Sequence, residues 1–332
     1  QVHRVTDAND QERLAEALEQ FRRTDNGPRF IIVDSHIGYG APHKQDTSAA
    51  HGEPLGEEEI RLAKRNYGWP EDAKFLVPEA VPEHFRAGIG QRGRQLREAW
   101  RGLRDAYNRQ YPDLAAELDK LLAGDPPAGW DKALPSFPAD AKGLATRESS
   151  AKVLNAIAPA YPWLLGGAAD LSPSTKTNLT FAGAGELEPG NPGGRNLHFG
   201  IREHAMGAIT NGLVLSKLRA YGSTFLIFSD YMKPAIRLAA LMELPILHVF
   251  THDSIGLGED GPTHQPIEQL IGLRSIPGLM TLRPADANEV AEAWRVIVAL
   301  KHQPACLVLS LQPLPTLDRT RYAAASGLAR GA

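Results

Sequence analysis

The segment THDSIGLGEDGPTHQP (251–266) holds the highest density of side chains that could carry chemistry in this 332-residue chain. Its acids and imidazoles are His252, Asp253, Glu259, Asp260 and His264. Two histidines beside several carboxylates can bind a polar substrate and move protons near neutral pH. An ordinary polar surface loop is the competing interpretation. Metal binding is disfavoured, because the segment has no His-x-x-x-His pair on a helix and no cysteine partner.

A second group of candidates combines one carboxylate with three aromatic rings. Glu203 begins an apolar helical pattern, and a glutamate in the first turn of a helix is ordinarily stabilised by the helix dipole. A ligand that buried this carboxyl group would instead favour its protonated form, which could hold a proton towards a ring nitrogen. Phe225, Phe228 and Tyr231 recur every three residues. Such aromatics belong to a core unless a flat ligand needs a wall on which to stack.

The elements that must position these residues alternate between strands and helices. Helical patterns cover five ranges: 147–158, 202–217, 231–242, 266–273 and 286–300. Apolar runs predict strands at 163–168, 223–229, 245–251, 279–282 and 305–311. Strands separated by helix-length segments predict an open parallel α/β sheet with helices on both faces. Because such sheets bind ligands at the carboxyl ends of their strands, the site is expected in the loops that follow these ends.

The first part of the chain predicts a partial α/β segment that precedes this sheet. A helical pattern over 10–22 is followed by a short apolar run at 29–34, which predicts a buried strand. Further helical patterns lie at 57–67, 90–110 and 112–122. The composition then shifts to a proline-rich stretch, 123–142, in which no helix can continue. This stretch is the best candidate for a linker.

Composition excludes several classes of protein. Apolar residues make up 42% of the chain and charged residues 23%, which excludes a disordered chain. The formal charge of −3 gives no net positive field that would attract nucleic acid or an anionic membrane surface. No run approaches about 18 apolar residues and the chain starts without an apolar signal core, so a cytoplasmic protein is expected. Cys306, the one cysteine, lies in an apolar run and is expected to be a buried structural thiol.

Several long motifs resemble the pyrimidine-binding domain of the transketolase family. They are GGAADLSPS (166–174), GRNLHFGIREHAMGAITNG (194–212), STFLIFSDY (223–231) and THDSIGLGEDGPTHQPIEQ (251–269). Upstream, HIGYGAPHKQDTSAAHGEPLGEEEI (36–60) resembles the end of the diphosphate-binding domain of the same family. The resemblance therefore divides the chain into the end of a diphosphate-binding domain, a proline-rich linker, a pyrimidine-binding domain and the start of a connection to a further domain: 1–122, 123–146, 147–318 and 319–332.

The resemblance implies a thiamine diphosphate-binding fold and a cofactor site. Transketolases transfer a two-carbon ketol unit from a ketose phosphate to an aldose phosphate, using thiamine diphosphate and Mg²⁺ or Ca²⁺. By resemblance, Glu203 binds the ring nitrogen of the aminopyrimidine, so that the exocyclic imino group can accept the proton of the thiazolium carbon. Phe225, Phe228 and Tyr231 match the pocket that receives this ring, and Asp170 matches an aspartate near the cofactor. The cofactor carries the electron sink, while the protein places it.

The resemblance also implies the roles of six residues towards the substrate. His264 matches a histidine that handles hydroxyl protons of the donor, and Asp260 matches an aspartate that recognises a hydroxyl group. His51 matches a histidine between the cofactor diphosphate and the substrate. A guanidinium and directed hydrogen bonds suit a phosphate dianion, and the residues that match this role are Arg147, Ser174 and His252. The expected catalytic residues are Glu203, His264 and His51.

Two departures from the family pattern limit what can be transferred. The chain reads Leu-Ser-Leu-Gln at 309–312, with Leu311 where the family has a phosphate-binding arginine, so weaker preference for phosphorylated sugars is expected. The Gly-Asp-Gly segment and the later asparagine that bind metal and diphosphate in the family do not occur in the 332 residues. The metal ligands are therefore expected outside this chain, which would supply half of each site. The first residue, Gln1, and the last segment, GLARGA, predict that the polypeptide begins and ends inside something longer.

These departures leave three functions open. The leading one is a cytoplasmic transketolase of the pentose phosphate pathway, completed by a second copy in a homodimer or by a separate diphosphate-binding subunit. Another thiamine-dependent ketol transferase, such as dihydroxyacetone synthase or deoxyxylulose-phosphate synthase, is the second, although His264 with Asp260 in GEDGPTHQP favours transketolase. A catalytically silent assembly module is the third. Sugar phosphates are the expected substrates, and neither nucleic acid nor a membrane is expected as a partner.

Overall fold

The computed structural model describes residues 1–23, 27–258 and 260–331. It divides into two compact units, Gln1–Trp100 and Arg101–Ala332. The first unit contains β1 (Val2–Val5), α1 (Gln11–Arg22), β2 (Phe30–Val33), α2 (Ala49–Gly52), α3 (Glu57–Asn66), α4 (Ala80–Phe85) and a π-helical turn at Arg86–Gly90. The second contains the last half of α5 (Gln91–Gln110) and all later elements. The domain limits expected from the sequence remain a prediction.

The first unit has a small two-stranded parallel sheet. Several of its apolar side chains are exposed, namely Val2, Phe30 and Val33. β1 and β2 pair in parallel from Val2 opposite Phe30 to Val5 opposite Val33. The predicted helix 10–22 and strand 29–34 are confirmed as α1 and β2. The expected burial of the strand is wrong, because Phe30 and Val33 are exposed and Ile31 and Ile32 are only half-buried. Asp10 caps α1, because its side chain accepts a hydrogen bond from the Arg13 backbone, which is the usual role of Asp at a helix start.

The second unit continues with helices and strands in alternation. Its helices are α6 (Pro112–Ala123), α7 (Thr146–Ile157), α8 (Ser172–Thr175), α9 (Glu203–Leu215), α10 (Ser229–Leu241), α11 (Gln269–Arg274) and α12 (Ala287–Ala299). Its strands are β3 (Asp140–Ala145), β4 (Leu164–Ala168), β5 (Asn196–His198), β6 (Arg219–Phe225), β7 (Leu247–Thr251), β8 (Met280–Leu282), β9 (Ala305–Val308) and β10 (Pro313–Thr316). Short 3₁₀ turns lie at Trp130–Ala133, Ala158–Ala160, Ile255–Leu257 and Ala325–Arg330.

Six of these strands form the sheet that organises the unit. Their order is β5-β4-β6-β7-β9-β8, and every neighbouring pair is parallel. The strand expected at 223–229 ends earlier, at Phe225, because the chain then turns: the Phe228 backbone donates to Phe225 and α10 begins. The edge strand β5 was not predicted. The open parallel α/β sheet is confirmed, and β3 and β10 form a separate antiparallel pair.

Helices cover both faces of the six-stranded sheet. On one face α7 and α12 pack through Leu154, Ile157 and Trp294, and the Trp294 indole donates to the Ser150 hydroxyl at 2.9 Å. On the other face α9 and α10 pack through a cluster that includes Met206, Met232, Ile236 and Phe250. Cys306 is fully buried in β9, and this burial raises the pKa of its thiol. The expectation of a buried thiol is confirmed.

The proline-rich stretch before β3 is attached to this core. Trp130 is buried in the cluster around α7 and α12, and Phe137 packs against that cluster. The Asn288 side chain on α12 accepts from the Phe137 backbone at 3.0 Å and donates back to it at 2.8 Å. Near the other end of the chain, Leu328 joins the same cluster. Within the part of the chain that the structure describes, no helix is long and apolar enough to cross a membrane.

The buried His248 is expected to make the stability of the second unit sensitive to acid. It is fully buried in β7, neither ring nitrogen has a hydrogen-bond partner, and burial lowers its pKa from 6.5 to about 4. Because the folded-state pKa is the lower one, the unfolded chain binds an extra proton in this range. The contribution of His248 to stability is therefore complete above about pH 6.5 and is lost as the pH falls towards 4.

We expect His248→Phe to remove this part of the acid sensitivity. Because phenylalanine cannot be protonated, the variant avoids the loss of about 2 kcal/mol in the free energy of unfolding that His248 causes at pH 5. This corresponds to a shift in Tm of roughly 4–8 °C. Scanning calorimetry at pH 7 and pH 5 should show a correspondingly smaller difference between the two Tm values in the variant. The exposed His302 serves as the control, and His302→Phe should keep the original difference. An unchanged difference in His248→Phe would contradict the prediction.

Candidate active site

Several candidate residues lie at the carboxyl edge of the six-stranded sheet, as the sequence predicts. β6 and β7 end side by side, with Phe225 opposite Thr251 in the parallel ladder. β4 ends next to β6, with Ala168 opposite Ser223. The segments that follow these three strands therefore leave the sheet at neighbouring points. They carry Asp170, Phe228 and the loop from His252 onwards.

Glu203 is the first residue of α9, and its carboxyl group is held by the neighbouring strand. The residue is only 7% exposed, and the Thr224 hydroxyl of β6 donates to Glu203 Oε1 at 3.0 Å. The dipole of α9 favours negative charge at this position. Thr224 was not singled out in the sequence, because one threonine inside an apolar strand gives no local signal of such a role.

An open pocket of about 660 Å³ lies in front of Glu203. Its walls are formed by Ile201, Arg202, Glu203, His204, Ala205, Phe228 and Tyr231. The Phe228 and Tyr231 rings lie 6.0 Å apart, and Tyr231 is 67% exposed. The pocket therefore combines one buried carboxyl group with two accessible aromatic rings. A flat, partly polar ring fits these walls better than a flexible chain would.

Phe225 lies behind this aromatic wall rather than in the lining of the pocket. Its ring stacks on Phe228 with centroids 5.7 Å apart and planes inclined by 13°. It also contacts the His252 ring, with centroids 3.7 Å apart. Phe225 is 6% exposed. It therefore connects the pocket to the loop that begins at His252 and contains His264, which we call the histidine loop.

His252 is buried at the start of that loop. Its backbone has a φ of 59°, a left-handed conformation that costs a residue other than glycine about 1–3 kcal/mol. Thr251 Oγ1 lies 2.8 Å from His252 Nδ1. Burial, helped by the charges of Arg147 and His264 and opposed by that of Asp260, lowers the pKa of His252 to about 4. His252 is thus neutral at pH 7 and can serve as a hydrogen-bonding partner.

The rest of the histidine loop turns back over the aromatic rings. His264 meets Phe225 and Phe228 edge-on, with centroids 5.9 Å and 5.3 Å away. Its Nδ1 lies 2.8 Å from Thr263 Oγ1. Asp260 is exposed on the same loop, and Glu259 lies outside the described residues. The structure thus brings both imidazoles predicted from the sequence onto one aromatic cluster.

Arg147 provides a cation beside His252. One guanidinium nitrogen, Nη1, donates to the Ser174 backbone carbonyl at 2.7 Å, while Nε is buried without a partner. Burial lowers the pKa of the guanidinium from its usual value. The Arg147 charge reaches His252, whose pKa it lowers. Asp170 lies nearby in sequence after β4, is exposed and has a φ of 61°.

Leu311 lies between two residues with different partners. Ser310 is hydrogen-bonded to the residue before Arg147, and Gln312 lies close to the histidine loop. The Ser310 backbone donates to Thr146 Oγ1 at 2.7 Å, directly before Arg147. On the other side, Gln312 Nε2 lies 3.4 Å from Ser254 Oγ, and Gln312 Oε1 is buried without a partner. The backbone next to residue 311 is therefore attached to the start of α7, where Arg147 lies.

His51 belongs to the first unit. It lies in α2 and is exposed. The segment before it is held by two His–carboxylate contacts: His36 Nδ1 is 3.0 Å from Asp46, and His43 Nδ1 is 2.9 Å from Glu59. No group of three or more His, Cys, Asp or Glu residues in 1–23, 27–258 and 260–331 is arranged to hold a metal ion.

Comparisons with known protein families show what this chain is similar to. Residues 142–316 match the model for the transketolase pyrimidine binding domain, and residues 1–127 match the model for the transketolase thiamine diphosphate binding domain. The chain is 49% identical over 333 residues to transketolase from Geobacillus stearothermophilus, covering 100% of this chain and 49% of the relative. It is 45% identical to transketolase from Bacillus subtilis, covering 99% of this chain and 49% of the relative.

Solved structures give the same result. Transketolase from Leishmania mexicana superposes with a TM-score of 0.88 at 37% identity, over 99% of this chain and 48% of that one. Transketolase from Pichia stipitis, in complex with sedoheptulose-7-phosphate, superposes with a TM-score of 0.87 at 38% identity, over 99% of this chain and 49% of that one. The chain thus spans about half the length of the relatives it matches. With two family models and these relatives covering it, the chain belongs to the transketolase family.

Proposed function

We propose that this chain supplies the aminopyrimidine half of a transketolase active site. Completed by a diphosphate-binding half, the site would transfer a two-carbon ketol unit from a ketose phosphate to an aldose phosphate. The observation that carries the proposal is the buried Glu203 carboxyl group facing a pocket walled by Phe228 and Tyr231. These groups fit the aminopyrimidine ring of thiamine diphosphate, which needs an acid at a ring nitrogen and aromatic surface around it.

Thiamine diphosphate, when bound, would supply a nucleophilic thiazolium carbon and an electron sink. The work of the chain is to place and polarise the aminopyrimidine. Glu203 Oε1 is engaged by Thr224, so Oε2 is the oxygen that would share a proton with the ring nitrogen. Phe228 and Tyr231 would hold the ring, and Phe225 would support Phe228, on which it stacks. Asp170 is proposed to lie near the cofactor.

The histidine loop and Arg147 would bind the sugar phosphate. His264 is proposed to move hydroxyl protons of the donor, and Asp260 to accept a hydrogen bond from a hydroxyl group. Arg147 can attract a phosphate dianion, and the neutral His252 beside it can donate a hydrogen bond. Ser174 would complete this group, and His51 would act between the diphosphate and the substrate.

The missing half-site is proposed to come from a partner. Exposed apolar side chains lie in the wall of the pocket, at the end of α10, and on and just before α11: Ile201, Tyr231, Leu241, Ile271 and Ile267. Patches of this kind support contact with another protein surface. The partner would be a second copy in a homodimer or a separate diphosphate-binding subunit, and it would bring the ligands for Mg²⁺ or Ca²⁺. A cytoplasmic enzyme of the pentose phosphate pathway is the setting that fits this proposal.

A chimeric enzyme tests the proposal. In the Geobacillus stearothermophilus transketolase, the half that matches this chain is replaced by this chain. The alignment between the two covers 100% of this chain. Ketol transfer between a ketose phosphate and an aldose phosphate is then measured with thiamine diphosphate and Mg²⁺. We expect transfer that depends on the cofactor. A chimera that folds and dimerises but transfers no ketol unit would refute the proposal and favour a silent assembly module.

A further inference from the structure

The backbone at His252 needs an explanation that the histidine itself does not provide. Its φ of 59° is left-handed, directly after β7 ends at Thr251. A residue other than glycine keeps such a conformation only where its surroundings fix it. The hydrogen bond to Thr251 and the contact with Phe225 orient the ring. Neither contact fixes the peptide that follows.

The next residue provides the constraint. Asp253 is buried, and Arg283 Nε donates to Asp253 Oδ2 at 2.8 Å. The other carboxylate oxygen, Oδ1, is buried without a partner. Arg283 therefore holds this carboxylate, and it does so from the segment just after β8, outside the histidine loop. A buried carboxylate held by a single arginine has little freedom to move, because separating the two would leave an unpaired charge.

We propose that Arg283 is a positioning residue for His252: by clamping Asp253 it holds the backbone at His252 in the left-handed conformation that presses the imidazole onto Phe225. Only the use of this imidazole for substrate phosphate rests on the proposed function. The positioning itself concerns residues of this chain alone.

The effect of the clamp should be confined to the first part of the loop. The far end is anchored separately, since Gln269 Nε2 donates to Asp230 Oδ2 at 2.7 Å and Gln269 is buried. His264, which lies closer to that end, contacts Phe228. Loss of the Arg283 clamp should therefore free His252 and leave His264 in place.

Nuclear magnetic resonance of the histidine-labelled 332-residue chain tests this directly. The Phe225 ring should displace the His252 ring-proton signals, and His252→Asn identifies those signals. We expect Arg283→Met to abolish most of this displacement, Arg283→Lys to restore part of it, and Asp253→Asn to act like Arg283→Met. The His264 signals should stay unchanged. Arg295, which pairs with Asp131 at 2.8 Å, is the matched control, and Arg295→Met should leave His252 unchanged.

Two outcomes would overturn the proposal. One is an unchanged His252 signal in a folded Arg283→Met or Asp253→Asn protein. The other is loss of signal dispersion throughout the protein in both variants, because the clamp would then support the whole unit rather than His252. In the chimera, Arg283→Met should raise KM for the phosphorylated donor several-fold more than it lowers kcat. An inactive chimera would count against the proposed function, and the resonance result would still decide the positioning.

Discussion

Replacing Glu203 by glutamine is expected to lower ketol transfer by the chimera by roughly 10²–10⁴-fold, the usual contribution of a group that manages a proton. The glutamine keeps the shape of the side chain and can still accept the hydrogen bond from Thr224. It cannot share a proton with the ring nitrogen as a carboxyl group does. Steady-state kinetics at saturating cofactor measure the loss, which should lie mainly in kcat.

Glu186 offers a matched control for this substitution. Its carboxylate is exposed and lies 2.6 Å from His198, outside the walls of the pocket. Glu186→Gln should retain nearly full activity. The Tm of both variants should stay close to that of the parent. Near-normal kcat in a correctly folded Glu203→Gln chimera would show that the pocket does not work on an aminopyrimidine as proposed.

Replacing Leu311 by arginine is expected to increase the preference for phosphorylated over free sugars. A charge-assisted hydrogen bond is worth about 1.5–3 kcal/mol, which corresponds to roughly 10- to 150-fold in kcat/KM. The new guanidinium would lie next to Ser310 in the chain. Ser310 is hydrogen-bonded to Thr146, the residue directly before Arg147. The measurement compares kcat/KM for a phosphorylated aldose and its free counterpart in both proteins.

Leu311→Met separates the added charge from the change in side-chain shape. It lengthens the side chain without a cation and should leave the ratio of the two kcat/KM values near that of the parent. Equal ratios in the Leu311 and Leu311→Arg proteins would contradict the prediction. In that case Arg147 and His252 would suffice for phosphate.

The sequence allowed the sheet and the position of the site to be predicted, because both depend on local patterns. Apolar runs separated by helical patterns lead to parallel strands, and the carboxyl edge of such a sheet is where loops can bind ligands. The histidine loop was found in this way, and Glu203 lies at the start of α9 as expected. The end of β6 was misplaced, because the apolar run through Phe228 continues past the point where the ladder ends.

Contacts between residues distant in sequence could not be predicted. Thr224 holds Glu203, and Arg283 holds Asp253, but no local pattern connects either pair. The left-handed backbone at His252 has no signal in the sequence either, since this conformation favours glycine. Likewise, proline content at 123–142 predicts a linker, while the bonds between Phe137 and Asn288 join residues 151 positions apart.

The most direct test of the central claim is calorimetric titration of thiamine diphosphate and Mg²⁺ into the 332-residue chain, alone and together with the remaining part of the Geobacillus stearothermophilus relative. The proposal of a shared site predicts tight, Mg²⁺-dependent binding only in the mixture, and loss of that binding when Phe228 and Tyr231 are both replaced by alanine. Tight, Mg²⁺-dependent binding by the chain alone would contradict it.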